Sequence, residues 1–149
     1  MIPPDLWENQ NAIKTLYAKC IGDVCVRHGI TRMELDILLF LANNPGYDTA
    51  TDIVELRYLA KSQVSVSIKL LEARGYLRKE YVKGNKKTAH LLVCDKAQDV
   101  LEDGRAAQKH FFEILFQDFA PEDIAQMKRY TERVRHNIDC WMKEELSDV

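Results

Sequence analysis

The chain has 149 residues, of which 46% are hydrophobic and 30% are charged, and this is enough apolar content for one domain with a sizeable core. No apolar run approaches the roughly 20 residues that a membrane span needs, and Asp5 and Glu8 lie where a signal peptide carries positive charge, so we expect a cytoplasmic protein without membrane contacts. The cysteines lie far apart and form no C-x-x-C pair, so the sequence indicates no disulfide framework. The histidines are scattered as well, and neither a metal site nor a cofactor is indicated.

The first predicted element is a long helix over residues 5–28. Apolar residues recur at helical spacing from Leu6 through Ile13 to Val24, and Gly29 follows as a stop. Trp7 lies near the beginning of this helix. A large aromatic side chain at a helix end is typical of an interface or a core, and we favour a contact between subunits.

A second helix is predicted to begin at Thr31, because residues 30–35 have the pattern of a capping box. Thr31 can accept a hydrogen bond from the amide of Glu34, and the Glu34 carboxylate can accept one from the amide of Thr31. The helix ends near Pro45, since the residue before a proline is disfavoured in the α region. Its nearly continuous apolar character predicts that it lies beneath the two helices that follow.

Two shorter helices separated by a tight turn are predicted next. The first follows the N-capping side chains of residues 48–52, and the second runs from Lys61 to Gly75 with Val64, Ile68 and Leu71 at i, i+4 and i+7. The opposite face of the second helix carries short or flexible polar groups, which suit phosphates and base edges in a major groove. It has no histidine, carboxylate pair or metal cluster of the kind that an enzyme site would show.

A Lys-rich hairpin follows the second of these helices. Hydrophobic alternation with a period of two predicts strands over 76–82 and 88–93, and Gly84 and Asn85 between them tolerate the positive φ of a tight turn. Three lysines at this tip suit a wing that reaches along a DNA backbone, and a solvated loop is the alternative. The predicted fold class is mainly α with a small β-hairpin wing (α+β), with a winged helix-turn-helix over 30–93.

Charge is distributed unevenly along the chain. Between Lys61 and His90 there are eight Lys or Arg residues and two acids, a net charge of +6, whereas the whole chain has a net charge of −2. The remainder of the sequence therefore carries −8. A basic module inside an acidic protein is typical of a face that binds nucleic acid.

Two long helices are predicted over 95–146. The first has Asp95 and Gln98 as a capping-box pair and a single apolar stripe of about 25 residues that reaches Phe119. The second begins at Pro121 and carries an apolar stripe that ends at Trp141. Such helices carry more apolar surface than a winged-helix core covers, which predicts a homodimer. The residues predicted to line its interface are Leu6, Trp7, Ile13, Phe119, Ile138, Trp141 and Met142.

This order of elements resembles that of the multiple-antibiotic-resistance regulator (MarR) family of bacterial transcription factors, and residues 52–56 and 64–77 carry the most recognisable part of the likeness. The resemblance implies one MarR-like domain over 1–149, with 5–28 and 95–146 as dimerisation helices. It also implies a repressor, and not an enzyme, that binds a pseudo-palindromic operator in double-stranded DNA. The predicted DNA-binding residues are Thr51, Lys61, Ser62, Gln63, Ser65, Val66, Lys69, Lys83, Asn85, Lys86 and Lys87.

The sequence departs from the family pattern in the wing and in the recognition helix. Family wings usually contain an Asp-x-Arg element whose arginine enters the minor groove, whereas this tip reads Gly84-Asn85-Lys86-Lys87. Lysine is a strongly hydrated point charge, so we expect phosphate attraction more than readout of groove width. Val66 stands where the family often has a base-contacting polar residue, and it contacts a thymine methyl group or makes no contact.

The resemblance leaves the inducing signal open between a small aromatic effector and oxidation of a cysteine. Cys20 and Cys25 lie near the position used by oxidant-sensing relatives, but Cys20 falls on the apolar stripe, which favours a buried small hydrophobe. Zinc-responsive relatives exist, although no ligand set is evident. The alternative function is a winged-helix module whose basic face binds an acidic partner protein, since fold does not fix function.

Overall fold

The structure, a computed structural model, describes residues 5–147. In that part of the chain the elements are α1 (Leu6–His28), α2 (Arg32–Asn43), α3 (Ala50–Arg57), α4 (Lys61–Ala73), β1 (Leu77–Glu80), β2 (His90–Val93), a 3₁₀ turn (Asp95–Ala97), α5 (Gln98–Leu115) and α6 (Pro121–Ser147). The predicted fold class, mainly α with a β-hairpin wing, is confirmed. The ends of the predicted 1–149 domain, residues 1–4 and 148–149, lie outside the described residues.

The chain divides into two compact units, the first ending at Phe111 and the second beginning at Phe112. The boundary falls within α5, so it differs from the predicted division into a 30–93 lobe and the dimerisation helices 5–28 and 95–146. That division concerns a dimer and stays a prediction. Among the described helices, none combines the length and apolar character that crossing a bilayer requires.

Helix α2 is the centre of the core of the first unit. Seven of its 12 residues are buried, and it packs against α1, α4 and β2. The predicted capping box is present: Thr31 Oγ1 accepts from the Glu34 amide at 3.1 Å, and Glu34 Oε1 accepts from the Thr31 amide at 3.1 Å. Of the two short helices predicted to lie over α2, α4 is confirmed by these contacts.

The two short helices begin and end at local signals. A second capping box joins Thr49 and Asp52, with both bonds at 3.1 Å, so α3 begins within the stretch predicted from its N-capping side chains. Tyr58 adopts the left-handed conformation with φ 52° and makes the turn that separates α3 from α4. Helix α4 ends before Gly75, whose φ of 76° explains why glycine stands there.

The two strands are shorter than predicted. They pair antiparallel from Leu77 opposite Val93 to Glu80 opposite His90, so the predicted extension of the first strand through Val82 is wrong. Within the paired segment, Leu77 and Leu91 are buried against the core, whereas Tyr81 and Val82 are exposed. Beyond Glu80 the strand has no apolar surface to pack on, so further pairing gains no stability from burial. The predicted turn is confirmed, because the Asn85 amide donates to the Val82 carbonyl at 2.9 Å and Gly84 has φ 89°.

The start and the length of α5 differ from the prediction. Residues Asp95–Ala97 form a 3₁₀ turn closed by the backbone, in which the Ala97 amide donates to the Cys94 carbonyl at 3.0 Å. The predicted capping box between Asp95 and Gln98 is therefore absent. Helix α5 ends at Leu115, and Asp118 has a φ of 63°, so the predicted 25-residue stripe is interrupted before Phe119.

Helix α6 begins at Pro121 as predicted, and Asp123 Oδ2 accepts from the amide of Ala120 at 3.0 Å. No residue of this 27-residue helix is buried. Ahead of it, Phe116 stacks on Phe112 at a centroid distance of 6.2 Å and meets Phe119 edge-on at 5.6 Å. The second unit thus exposes a long apolar stripe together with an aromatic cluster.

Candidate nucleic-acid interface

The exposed face of α4 carries the side chains that the sequence assigned to DNA. Val64, Ile68 and Leu71 turn inward and are buried, which leaves the other side of the helix in solvent. That side presents Lys61, Ser62, Gln63, Ser65, Val66 and Lys69, all of them exposed. A helix with an anchored apolar stripe and short polar groups opposite has the form that enters a major groove.

A cleft of about 470 Å³ lies between the start of α3, the exposed side of α4 and the base of the wing. It brings together four of the predicted DNA-binding residues, namely Thr51, Lys61, Ser65 and Lys87. The other residues that line it are Thr49, Ala50, Val54, Glu55, Ile68, Lys79, Thr88, Ala89 and Leu91. Residues from three separate elements thus form one concave, lysine-bearing surface, and Lys79 and Thr88 belong to it although the sequence did not single them out.

The basic residues of 61–90 fall into two groups. Arg74, Arg78 and Lys79 are engaged by acids: Arg74 lies 3.6 Å from Glu34, Arg78 2.6 Å from Glu80, and Lys79 3.2 Å from Glu72. The other five, Lys61, Lys69, Lys83, Lys86 and Lys87, form no ion pair with any residue in the described range 5–147. All five were predicted to bind DNA. We call them the unpaired lysines.

Asn85 organises the tip of the wing. Its side-chain oxygen accepts from the amide of Lys87 at 3.0 Å and from the amide of Thr88 at 3.3 Å, which closes the turn from within. Asn85 therefore holds the backbone that carries Lys86 and Lys87. Its predicted contact with DNA stays a prediction, and its ordering role is the one that the geometry displays.

The wing is attached to the start of α3 through Asp48. The Asp48 carboxylate bonds to His90 Nδ1 at 2.8 Å, and the Asp48 carbonyl accepts from the Leu91 amide at 2.7 Å. Sequence reasoning missed this attachment because the partners are 42 residues apart and neither belongs to a motif. The two bonds fix the base of the wing relative to the cleft.

Buried Glu34 similarly holds the end of α4. Its side chain is 1% exposed, and its Oε2 atom has no hydrogen-bond partner within the described part of the chain but lies 3.6 Å from Arg74 Nε. A buried carboxylate is costly unless a cation compensates it. Arg74 is thus held in an ion pair with Glu34, and its positive charge is not free in the way that the charges of the unpaired lysines are.

The two cysteines considered as oxidant sensors, Cys20 and Cys25, are half-buried. Burial, followed by the nearby Asp36 carboxylate, raises the pKa of the Cys25 thiol. A raised pKa lowers the thiolate fraction, and the thiolate is the species that oxidants attack. The surroundings of Cys25 thus disfavour an oxidant-sensing role for it.

The residues predicted to line a dimer interface are all exposed in the single chain. Their exposed fractions range from 39% for Ile13 to 59% for Trp7. In the first unit they are Leu6, Trp7 and Ile13, and in the second unit Phe119, Ile138, Trp141 and Met142. Each unit therefore exposes several large apolar side chains.

Comparison with known proteins finds a family whose sequence model matches part of this chain. Residues 28–87 match the sequence model of the MarR family. The family resemblance predicted from the sequence is thereby confirmed, and the matched residues include α2, α3, α4, β1 and the wing tip. Among proteins with curated functions, no sequence match was found.

Solved structures extend the likeness to nearly the whole fold. A protein described as a MarR-family transcriptional regulator from Listeria monocytogenes, complexed with a 26-mer DNA, is similar with a TM-score of 0.80 at 18% identity over 95% of this chain and 93% of that one. A MarR protein from Peptoclostridium difficile has a TM-score of 0.79 at 17% identity over 96% and 94%. A MarR transcriptional regulator from Methanosarcina mazei has a TM-score of 0.73 at 15% identity over 92% and 92%. The chain therefore has the fold of these regulators.

Proposed function

We propose that this MarR-family protein is a transcriptional repressor that binds a pseudo-palindromic operator as a homodimer in the cytoplasm. The observation that carries the proposal is the set of five unpaired lysines on α4 and the wing, beside a cleft that joins both to α3. Cations without internal partners are free to neutralise phosphates and to release the counterions bound to DNA. The similar regulator from Listeria monocytogenes, which was solved with DNA, supports this assignment.

In the proposed complex, α4 enters the major groove. Gln63 is exposed on the groove-facing side and has the amide that pairs in a bidentate manner with adenine. Val66, which is 58% exposed, has an apolar side chain that suits a thymine methyl group. Ser62 and Ser65 supply short donors to either phosphates or bases.

The wing lies on the neighbouring backbone in this complex. Lys83, Lys86 and Lys87 attract phosphates, and Asn85 keeps their backbone in place. A lysine lacks the planar fork with which arginine reads a narrow minor groove, so the wing contributes affinity more than sequence preference.

The homodimer is supported by the apolar surface of the terminal helices. Helix α6 buries none of its residues within the chain, although Ile138 is 43% and Trp141 58% exposed. Most of the stability of helices in proteins comes from packing of an amphipathic face, so a second copy that covers this apolar stripe would stabilise α6. Two-fold symmetry then presents two recognition helices to two half-sites.

We further propose that a small aromatic effector releases the operator. The raised pKa and partial burial of Cys25 weigh against thiol oxidation at that residue, whereas a small molecule requires no reactive thiol.

Selection of bound fragments from a random DNA pool tests the proposed function. We expect enrichment of an inverted repeat whose half-site centres lie about one helical turn, roughly 34 Å, apart. A matched selection with a Lys61→Ala, Lys69→Ala variant should give weaker enrichment. Failure to enrich any sequence, together with capture of an acidic protein by the same basic face, would replace the proposal with the protein-interaction module.

A further inference from the structure

A histidine and a cysteine stand together on the polar side of α6. His136 and Cys140 are one helical turn apart, both are exposed, and Cys140 Sγ lies 3.5 Å from His136 Nε2. The contact is a hydrogen bond, in which a proton lies between Sγ and Nε2 and a lone pair of the acceptor points at it. Both atoms are ligands of transition metals, the sulfur as its thiolate and the nitrogen in neutral imidazole.

The separation of the two atoms matches the bite of a tetrahedral metal site. With a Zn–S distance of about 2.3 Å, a Zn–N distance of about 2.1 Å and a tetrahedral angle, the sulfur and nitrogen are roughly 3.6 Å apart. The observed distance is 3.5 Å. We propose that His136 and Cys140 form a two-ligand site for a divalent transition-metal ion of the zinc class, which takes the place of the shared proton.

The choice of metal follows from the donors. One thiolate and one imidazole form a borderline-soft set, which favours Zn²⁺, Co²⁺ and Ni²⁺ over the hard ions Mg²⁺ and Ca²⁺. On binding, the Cys140 thiol releases its proton to solvent, and sulfur and nitrogen each donate an electron pair to the ion. No group of three ligating side chains is drawn together in residues 5–147, so water completes the coordination.

The site stays accessible when the apolar stripe is covered. At about 100° per residue, Val134 and Ile138 lie roughly 140–180° around α6 from the midpoint of His136 and Cys140, and Trp141 lies about 120° from it. The pair thus lies outside the apolar stripe, so a second copy that packs on the stripe alone would leave it accessible. The inference therefore does not rest on DNA binding, and it requires one ion for each chain.

The sequence contained this pair as H-x-x-x-C. Neither the absence of a C-x-x-C pair nor the spacing of the histidines alone reveals this mixed pair. A spacing of four on a helix places two side chains on one face, and the structure adds the distance that sequence spacing leaves open.

Titration of the reduced, full-length protein with Co²⁺ alone tests the proposal. We expect saturation at one ion per chain, with the near-ultraviolet charge-transfer absorption of a Co²⁺–thiolate bond, and loss of that absorption when Zn²⁺ is added. Because thiolate formation is required, binding should also release protons into a weakly buffered solution.

Three variants make the assignment specific. Cys140→Ser should abolish the charge-transfer band, His136→Gln should weaken binding on the order of 100-fold because the chelate is lost, and the control Cys94→Ser should leave the band unchanged. Both site residues are exposed, and circular dichroism verifies that the helix is retained. The proposal is overturned by the absence of a band, by a band that survives Cys140→Ser, by unchanged affinity in His136→Gln, or by one ion per two chains.

Discussion

Replacement of Lys86 and Lys87 by alanine removes two of the five unpaired lysines from each protomer. If the proposed dimer neutralises about eight phosphates, log K falls with log salt at a slope of roughly −7. Loss of four contacts from the dimer reduces that slope to roughly −4. Because counterion release contributes most at low salt, we expect the affinity difference between the two proteins to be largest there and to shrink as salt rises.

Fluorescence anisotropy of a labelled selected operator, measured at several salt concentrations between about 50 and 200 mM, gives both slopes. The ranking of operators should be the same in the variant and in the parent protein, since phosphate contacts carry no sequence information. A Lys14→Ala, Lys19→Ala variant makes the same change in net charge on α1 and should keep the parental slope. An unchanged slope in the wing variant, or an equal change in the α1 variant, would refute the assignment of the wing to DNA.

Three further substitutions probe the groove contact, the dimer and the core. Gln63→Ala should change which operator is preferred in competition assays, and a uniform loss across operators would make Gln63 a phosphate contact. Trp141→Ala should weaken self-association about 30-fold or more in analytical ultracentrifugation, because a 58% exposed indole offers roughly 2 kcal/mol of apolar area to a partner. Gly104→Ala should lower the free energy of unfolding by about 1–3 kcal/mol in urea denaturation, because the added Cβ lies 3.0 Å from Leu39 Cδ2 in the packed core.

The substitutions at Trp141 and Gly104 each have a matched control. Val82→Ala removes an apolar side chain that is 61% exposed and lies in the wing, outside the predicted dimerisation helices, so association should be unchanged. Gly46→Ala adds a Cβ that meets no atom within 4 Å, and it should leave the free energy of unfolding within about 0.5 kcal/mol of the parent. Equal effects in a variant and its control would contradict the corresponding argument.

Helix boundaries were predictable where the determining contact is local. The capping box of Thr31 and Glu34 spans three residues, and the stops at Gly29 and Gly75 depend on the backbone of one residue. The same rule failed at Asp95, where a backbone-closed 3₁₀ turn took the place of the side-chain cap. A capping pattern states which bonds are available, and the backbone geometry decides which of them form.

The exposed face of α4 was predictable because it is the complement of a buried stripe. The sequence does not predict which of the eight basic residues lack an ion-pair partner, because the acidic partners come from other parts of the chain. Arg74 is paired with Glu34, 40 positions earlier, and Lys79 with Glu72 across the join between α4 and β1. Pairing of this kind depends on tertiary contacts that neither periodicity nor local charge reveals.

The double attachment of Asp48 to His90 and Leu91 ties the wing to the start of α3. A hairpin transplanted alone into another scaffold would lose its carboxylate partner and one backbone acceptor, and its tilt would be set by the new host. A transplant of residues 48–93 carries both anchors with it. Engineers who wish to exchange wings between such proteins should therefore cut before Asp48 and not after Gly75.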